Sequence, residues 1–97
     1  RQRVEREEHM EKMELELQQK ANLLRETKLE LQLRERHLQQ CEENLRISRR
    51  SYDVGLESLS DLLTAQVLWQ EAYASQAEAR YKLKSRWMAW RKAAGRL

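Results

Sequence analysis

Met10, Leu17, Leu24, Leu31, Leu38, Leu45 and Tyr52 stand seven residues apart without a polar interruption. Such a column lies along one line of an α-helix, whereas a strand would throw alternate members to opposite faces. It therefore commits the first half of the chain to one long helix with a packed stripe. With no proline anywhere and no glycine before Gly55, nothing in that half would break the helix. The position three residues on reads Met13, Lys20, Thr27, Arg34, Cys41 and Ser48, which does not read as a zipper seam with both core positions apolar. Leu15, Leu23, Leu29 and Leu33 lie off the column and point to neighbours on more than one side.

The second half repeats the period. One column holds Leu62, Trp69, Gln76, Leu83, Trp90 and Leu97, and a second holds Leu59, Tyr73, Trp87 and Ala94, broken by Gln66 and Arg80. A third, of Ala65, Ala72 and Ala79, is small enough to let a neighbouring helix come close, so that face too expects a partner. Between the halves Gly55 can take a positive φ without a Cβ penalty. Ser58, with Asp61 three residues on, has the form of a capping box that starts a new helix.

With so short a turn the helices run antiparallel. The expected fold is an all-α, antiparallel two-helix coiled-coil hairpin, with the first helix over about 4–52, the tip at 53–57 and the second helix over about 58–94. The first helix would be about 70 Å long at roughly 1.5 Å per residue and would overhang at its start. The register sets Leu45 by Trp69, Leu38 by Gln76, Leu31 by Leu83, Leu24 by Trp90 and Leu17 by Leu97, with Leu62 on the same line near the tip. One stripe per helix leaves the other leucines, alanines and tryptophans wet, so the hairpin is expected to self-associate.

Composition agrees with this shape. With 97 residues, 36% of them charged and 40% hydrophobic, there is material for one small elongated unit and not for a compact core. Residues 1–97 read as a single hairpin, a fragment of something larger, polar from Arg1 and without a targeting segment or membrane-spanning run. The net charge of +3 is unevenly spread, because Arg80, Lys82, Lys84, Arg86, Arg91, Lys92 and Arg96 all follow the last acid, Glu78. Cations interleaved with Trp87 and Trp90 could suit an anionic membrane or a nucleic acid. In the expected register, however, Leu83, Trp87, Trp90 and Ala94 face the first helix, which takes up the aromatics in packing.

Chemistry is sparse. His37 and Cys41 share a helix face, but no third or fourth ligand stands nearby for a metal, and His9 reads as solvated. The chain has no Ser-His-Asp order, no glycine-rich phosphate loop and no paired buried carboxylates, so neither an enzyme nor a cofactor is expected.

Residues 52–95, "YDVGLESLSDLLTAQVLWQEAYASQAEARYKLKSRWMAWRKAAG", resemble the distal hairpin of the outer-membrane efflux (TolC) proteins. That family carries Y-x-x-G-x-x-[ST]-x-x-D-[LV]-L-x-A-Q, matched here by Tyr52, Gly55, Ser58, Asp61, Leu63, Ala65 and Gln66. An A-x-A-R-Y-like segment follows, matched by Ala77, Ala79, Arg80 and Tyr81, and then A-A-G, matched by Ala93, Ala94 and Gly95. The upstream "CEENLRISRRSY" is similar to the helix that descends to such a tip. Residues 1–40 match in helical character alone.

The resemblance implies one periplasmic hairpin, from the second repeat of a homotrimeric channel that serves multidrug efflux or type I secretion. The channel would be anchored in the outer membrane by β-strands outside this segment. Its partners would be sister subunits, a periplasmic adaptor and an inner-membrane pump, with no nucleic acid. It further implies that Val54, Gly55, Leu56 and Ser58 form an adaptor-docking tip and that Tyr52 and Asp61 line a gate. Family members often carry an arginine where Glu57 stands and a second acid where Thr64 stands, so the gate of this chain differs from theirs. From the residues alone, Asp61 is also a plain capping residue and Tyr52 the last knob of the leucine column. A cytosolic coiled-coil scaffold is the alternative that the first 50 residues support equally; the spacing of the tip residues separates the two.

Overall fold

A computed structural model describes residues 2–96 of the chain. Two helices make up nearly all of it: α1, Gln2–Asp53, and α2, Leu59–Ala94. They pack into a rod of 80 × 15 × 14 Å. The order of contacts between them sets their direction. Trp69 Nε1 reaches Glu42 Oε1 at 3.5 Å, Lys82 Nζ lies 3.9 Å from Glu30, and Arg86 Nη1 donates to Thr27 Oγ1 at 2.6 Å. Partners on α2 advance as those on α1 recede, so the helices are antiparallel.

The expected register holds where grooves report it. Leu45 and Trp69 line one groove, and Leu24 and Trp90 line another. Leu31, Leu38, Leu62 and Leu83 are half-buried on the same line, and Gln76 is buried. Leu97, the expected neighbour of Leu17, lies outside the described residues. With 52 residues, α1 is about 78 Å long at 1.5 Å per residue, whereas α2 has 36. The start of α1 therefore overhangs, leaving Val4 and Met10 exposed although Met10 heads the leucine column.

The seam departs from the expected one in three ways. First, the mostly polar companion column of α1 is its deepest line. Thr27 is 1% exposed and Cys41 is buried, while Lys20 and Ser48 are half-buried; of that column Arg34 turns outward. Second, the alanine column of α2 awaits no further neighbour: Ala72 and Ala79 are buried against α1, and Ala65 is half-buried. Third, Leu59, Tyr73 and Trp87 are exposed, so Trp87 lies at the rim, in a groove it shares with Ala21 and Leu24 of α1, and not in the centre of the seam as the sequence suggests.

The three share one cause. Both helices alternate a large residue (leucine or tryptophan) with a small one (Thr27, Cys41, Ser48, Ala65, Ala72, Ala79), and small side chains let the backbones approach. That close approach centres the contact on the small columns and rotates Trp87 to the rim. Apolar side chains also remain on the outer faces, among them Leu15, Leu29, Leu33 and Ile47 on α1 and Leu63, Val67 and Leu68 on α2.

A polar knot sits within this seam. Thr27 Oγ1 donates to Leu23 O at 2.7 Å, one turn back on its own helix, and accepts from Arg86 of α2. Both hydrogen-bonding roles of the buried hydroxyl are thus filled, which removes most of the cost of placing it there. The half-buried Glu30–Lys82 pair beside it, whose side chains still reach solvent, contributes little.

Candidate functional site

The hairpin tip follows from two capping motifs set back to back. At the end of α1, Leu56 N–H donates to Ser51 O at 2.8 Å and Gly55 N–H to Tyr52 O at 3.0 Å. These are the two hydrogen bonds of a Schellman motif, which needs a left-handed residue between them, and Gly55 has φ 81°. A Cβ at Gly55 would meet no atom within 4 Å, so the glycine is demanded by backbone conformation and not by space. Ser58 then opens α2 with extended backbone, and its Oγ accepts from Asp61 N–H at 3.1 Å. One otherwise orphaned donor of the new helix is thereby satisfied, and the Asp61 carboxylate lies in the first turn, where the helix dipole favours negative charge.

The side chains of this turn face outward. Val54 is 69% exposed and Leu56 82%. In a Schellman motif the residue in Leu56's place commonly packs back on the helix it has just left; here it does not. Gly55, Ser58 and Asp61 are exposed, and Tyr52 lies at the edge, less exposed than Val54 and Leu56. Leu59, Leu63 and Val67 continue an exposed apolar stripe along the first turns of α2.

Acids outnumber cations around the tip, where Arg50 stands in the last turn of α1. Asp53, Glu57 and Asp61 surround the turn, and no lysine, arginine or histidine occurs between Ser51 and Ala79. Glu57 Oε2 is shielded from solvent without a hydrogen-bond partner among the described residues. The nearest cations lie back on α1. Arg46 is taken up by Glu43 through two hydrogen bonds, and the Arg46 guanidinium holds the Glu43 carboxyl below its ordinary range. The effect of that pair is full above the ordinary carboxylate range and fades as pH falls through the lowered value. Both groups stand in solvent, so it bears little on stability.

The tip residues expected from sequence are thus contiguous: Val54, Gly55, Leu56 and Ser58 form the turn, with Tyr52 and Asp61 at its flanks. Of the packing residues, Leu62 lies in the first turn of α2 beside the tip, and Leu24, Leu31, Leu38, Leu45, Trp69, Leu83 and Trp90 lie in the seam away from it. Sequence reasoning missed Thr27 and Arg86. The signal was a lone threonine beside a leucine ladder, opposite an arginine in the antiparallel register.

Cys41 Sγ stands 3.7 Å from His37 Nε2, and among the described residues no three or more His, Cys, Asp or Glu side chains gather as metal ligands. No described helix is long and apolar enough to cross a membrane. No protein-family model, curated protein or solved structure matches the chain.

Proposed function

We propose that this chain is a periplasmic helical hairpin of an outer-membrane efflux channel of the TolC kind. Its tip forms the channel entrance and docks a periplasmic adaptor, and its flanks pack on sister subunits. The observation that carries this reading is the tip. A hairpin needs only some turn, but this one is a tightly capped reversal at Gly55 whose two largest apolar side chains, Val54 and Leu56, point away from the rod. Exposed apolar side chains on a rigid turn cost solubility and suit a partner that covers them. The resemblance of the motif from Tyr52 to Gln66 to the distal hairpin of that family supports the same reading. Leu15, Leu29, Leu33 and Ile47 on α1, with Leu63 and Leu68 on α2, supply flanks for neighbouring hairpins.

In this reading the hairpin does no bond chemistry. Neighbouring tips meet at their bare glycines and part to open the entrance, and Tyr52 and Asp61 set what the narrowed opening admits. The periplasm and outer membrane are its place, and the exported molecule passes between hairpins without a cofactor.

Leu56→Asp in the full-length protein tests the docking role. Because Leu56 touches little of its own chain, helix content and thermal unfolding should be unchanged, while efflux and crosslinking to the adaptor fall at least tenfold. Undiminished efflux would remove the docking role.

A further inference from the structure

The outer face of the second half of α2 carries a feature that the efflux reading does not use. Arg80, Lys84, Trp87 and Arg91 follow at spacings of four, three and four, which places them on one helical line, with Tyr81 and Met88 on the adjoining line. All six are exposed, and Trp87 is 42% so. The Arg91 guanidinium lies over the Trp87 ring at 5.4 Å from its centroid. Across the groove from Trp87, α1 presents Arg25 and Lys28.

None of these five cations is within ion-pair distance of a carboxylate among the described residues, whereas Lys82 and Arg86, on the seam side, are already engaged by Glu30 and Thr27. The fold has thus sorted the basic stretch into cations engaged across the seam, Lys82 and Arg86, and cations left free around exposed aromatic and thioether side chains.

We propose that this face is a docking site for an anionic lipid surface. Arg25, Lys28, Arg80, Lys84 and Arg91 would meet the headgroup phosphates while Trp87, Tyr81 and Met88 enter the interfacial layer. Interfacial helices are built in this way, with cations beside aromatic rings that sit at the headgroup level. A single-stranded nucleic acid is the other polyanion with suitable chemistry. The structure favours lipid, because Arg91 already lies over one face of the Trp87 ring, and because Tyr81 and Met88 are 75% and 57% exposed and line no described groove. The inference is independent of the efflux reading.

The test is co-sedimentation of the 97-residue chain with vesicles of mixed phosphatidylglycerol and phosphatidylcholine, against phosphatidylcholine alone, at rising salt. Binding should require the anionic lipid and weaken steeply with salt. Each basic residue near a charged surface changes affinity about fivefold, so the triple variant Arg80→Gln, Lys84→Gln, Arg91→Gln should bind about a hundredfold more weakly. All three positions are exposed, and circular dichroism should show its helix content intact. A control triple with the same charge loss, Arg3→Gln, Arg6→Gln, Lys12→Gln, should bind as the parent does.

No binding at low salt, or equal loss in the two triples, would overturn the proposal. So would a single-stranded oligonucleotide that binds this face more tightly than the vesicles do.

Discussion

Leu24→Ala destabilises the hairpin by about 2 kcal/mol, near the low end for a leucine-to-alanine change in a core. Leu24 is the most buried leucine of the long column, at 8% exposed, and lies against Trp90 where the groove also admits Ala21, Arg25 and Lys28. The site is one residue deep, so water can enter part of the space that the side chain leaves, which keeps the cost from reaching the values of an enclosed core. For a chain of this size such a loss lowers the melting temperature by roughly 8–16 °C. Leu33→Ala, at an exposed position on the same helix, should shift it little. Thermal unfolding followed by circular dichroism at one fixed protein concentration measures both, because any self-association would make the midpoint depend on concentration. Equal shifts for the two variants would mean that the leucine column is not the seam.

The second large effect concerns the polar knot. Thr27→Val keeps the shape of the side chain and deletes the hydroxyl that accepts from Arg86. The guanidinium then has no acceptor at the seam, and the expected cost is about 1–2 kcal/mol, limited by the ability of the half-buried Arg86 to turn toward water. Adding Arg86→Leu to Thr27→Val should recover most of that loss, because two apolar side chains of suitable size replace a bonded polar pair. The double-mutant cycle therefore shows a coupling energy of about 1 kcal/mol or more. Additive losses would mean that the hydrogen bond contributes nothing to stability. A polar pair at one point of an otherwise repetitive seam also has a use in specificity: slipping by one heptad would strand both groups, so the apolar double variant should tolerate alternative registers better than the parent.

Much of this architecture could be read before any coordinates. The unbroken column from Met10 to Tyr52, the absence of proline and the Gly55 and Ser58 pair located both helices within two residues of their observed ends, because helix breakers and caps act locally. The register followed from the shortness of the turn. What could not be read was which column of α2 would face α1. By hydropathy, Leu59, Tyr73, Trp87 and Ala94 look as good a seam as the alanines, and Thr27 looks like a surface residue. The choice depends on how closely two backbones approach, which is a property of both helices together and absent from either alone. The tip is a middle case. Its capping residues, Gly55 and Ser58, were nameable from their spacing and Val54 and Leu56 from the resemblance, but the outward setting of Leu56 runs against the usual capping geometry, in which that residue packs back on the helix. The partner proposed to cover them would belong to another chain.

The distance between residues 29 and 84 tests the account at its root. Both positions are exposed, one on each helix, and they lie opposite each other in the antiparallel register. Spin labels placed there by Leu29→Cys and Lys84→Cys, with Cys41→Ser and dilution by unlabelled chain, should give a distance below roughly 25 Å, since packed helix axes lie 8–10 Å apart. A helix running unbroken through Gly55 would instead hold the labels about 80 Å apart at 1.5 Å per residue, and that result would contradict the hairpin and every reading of its tip.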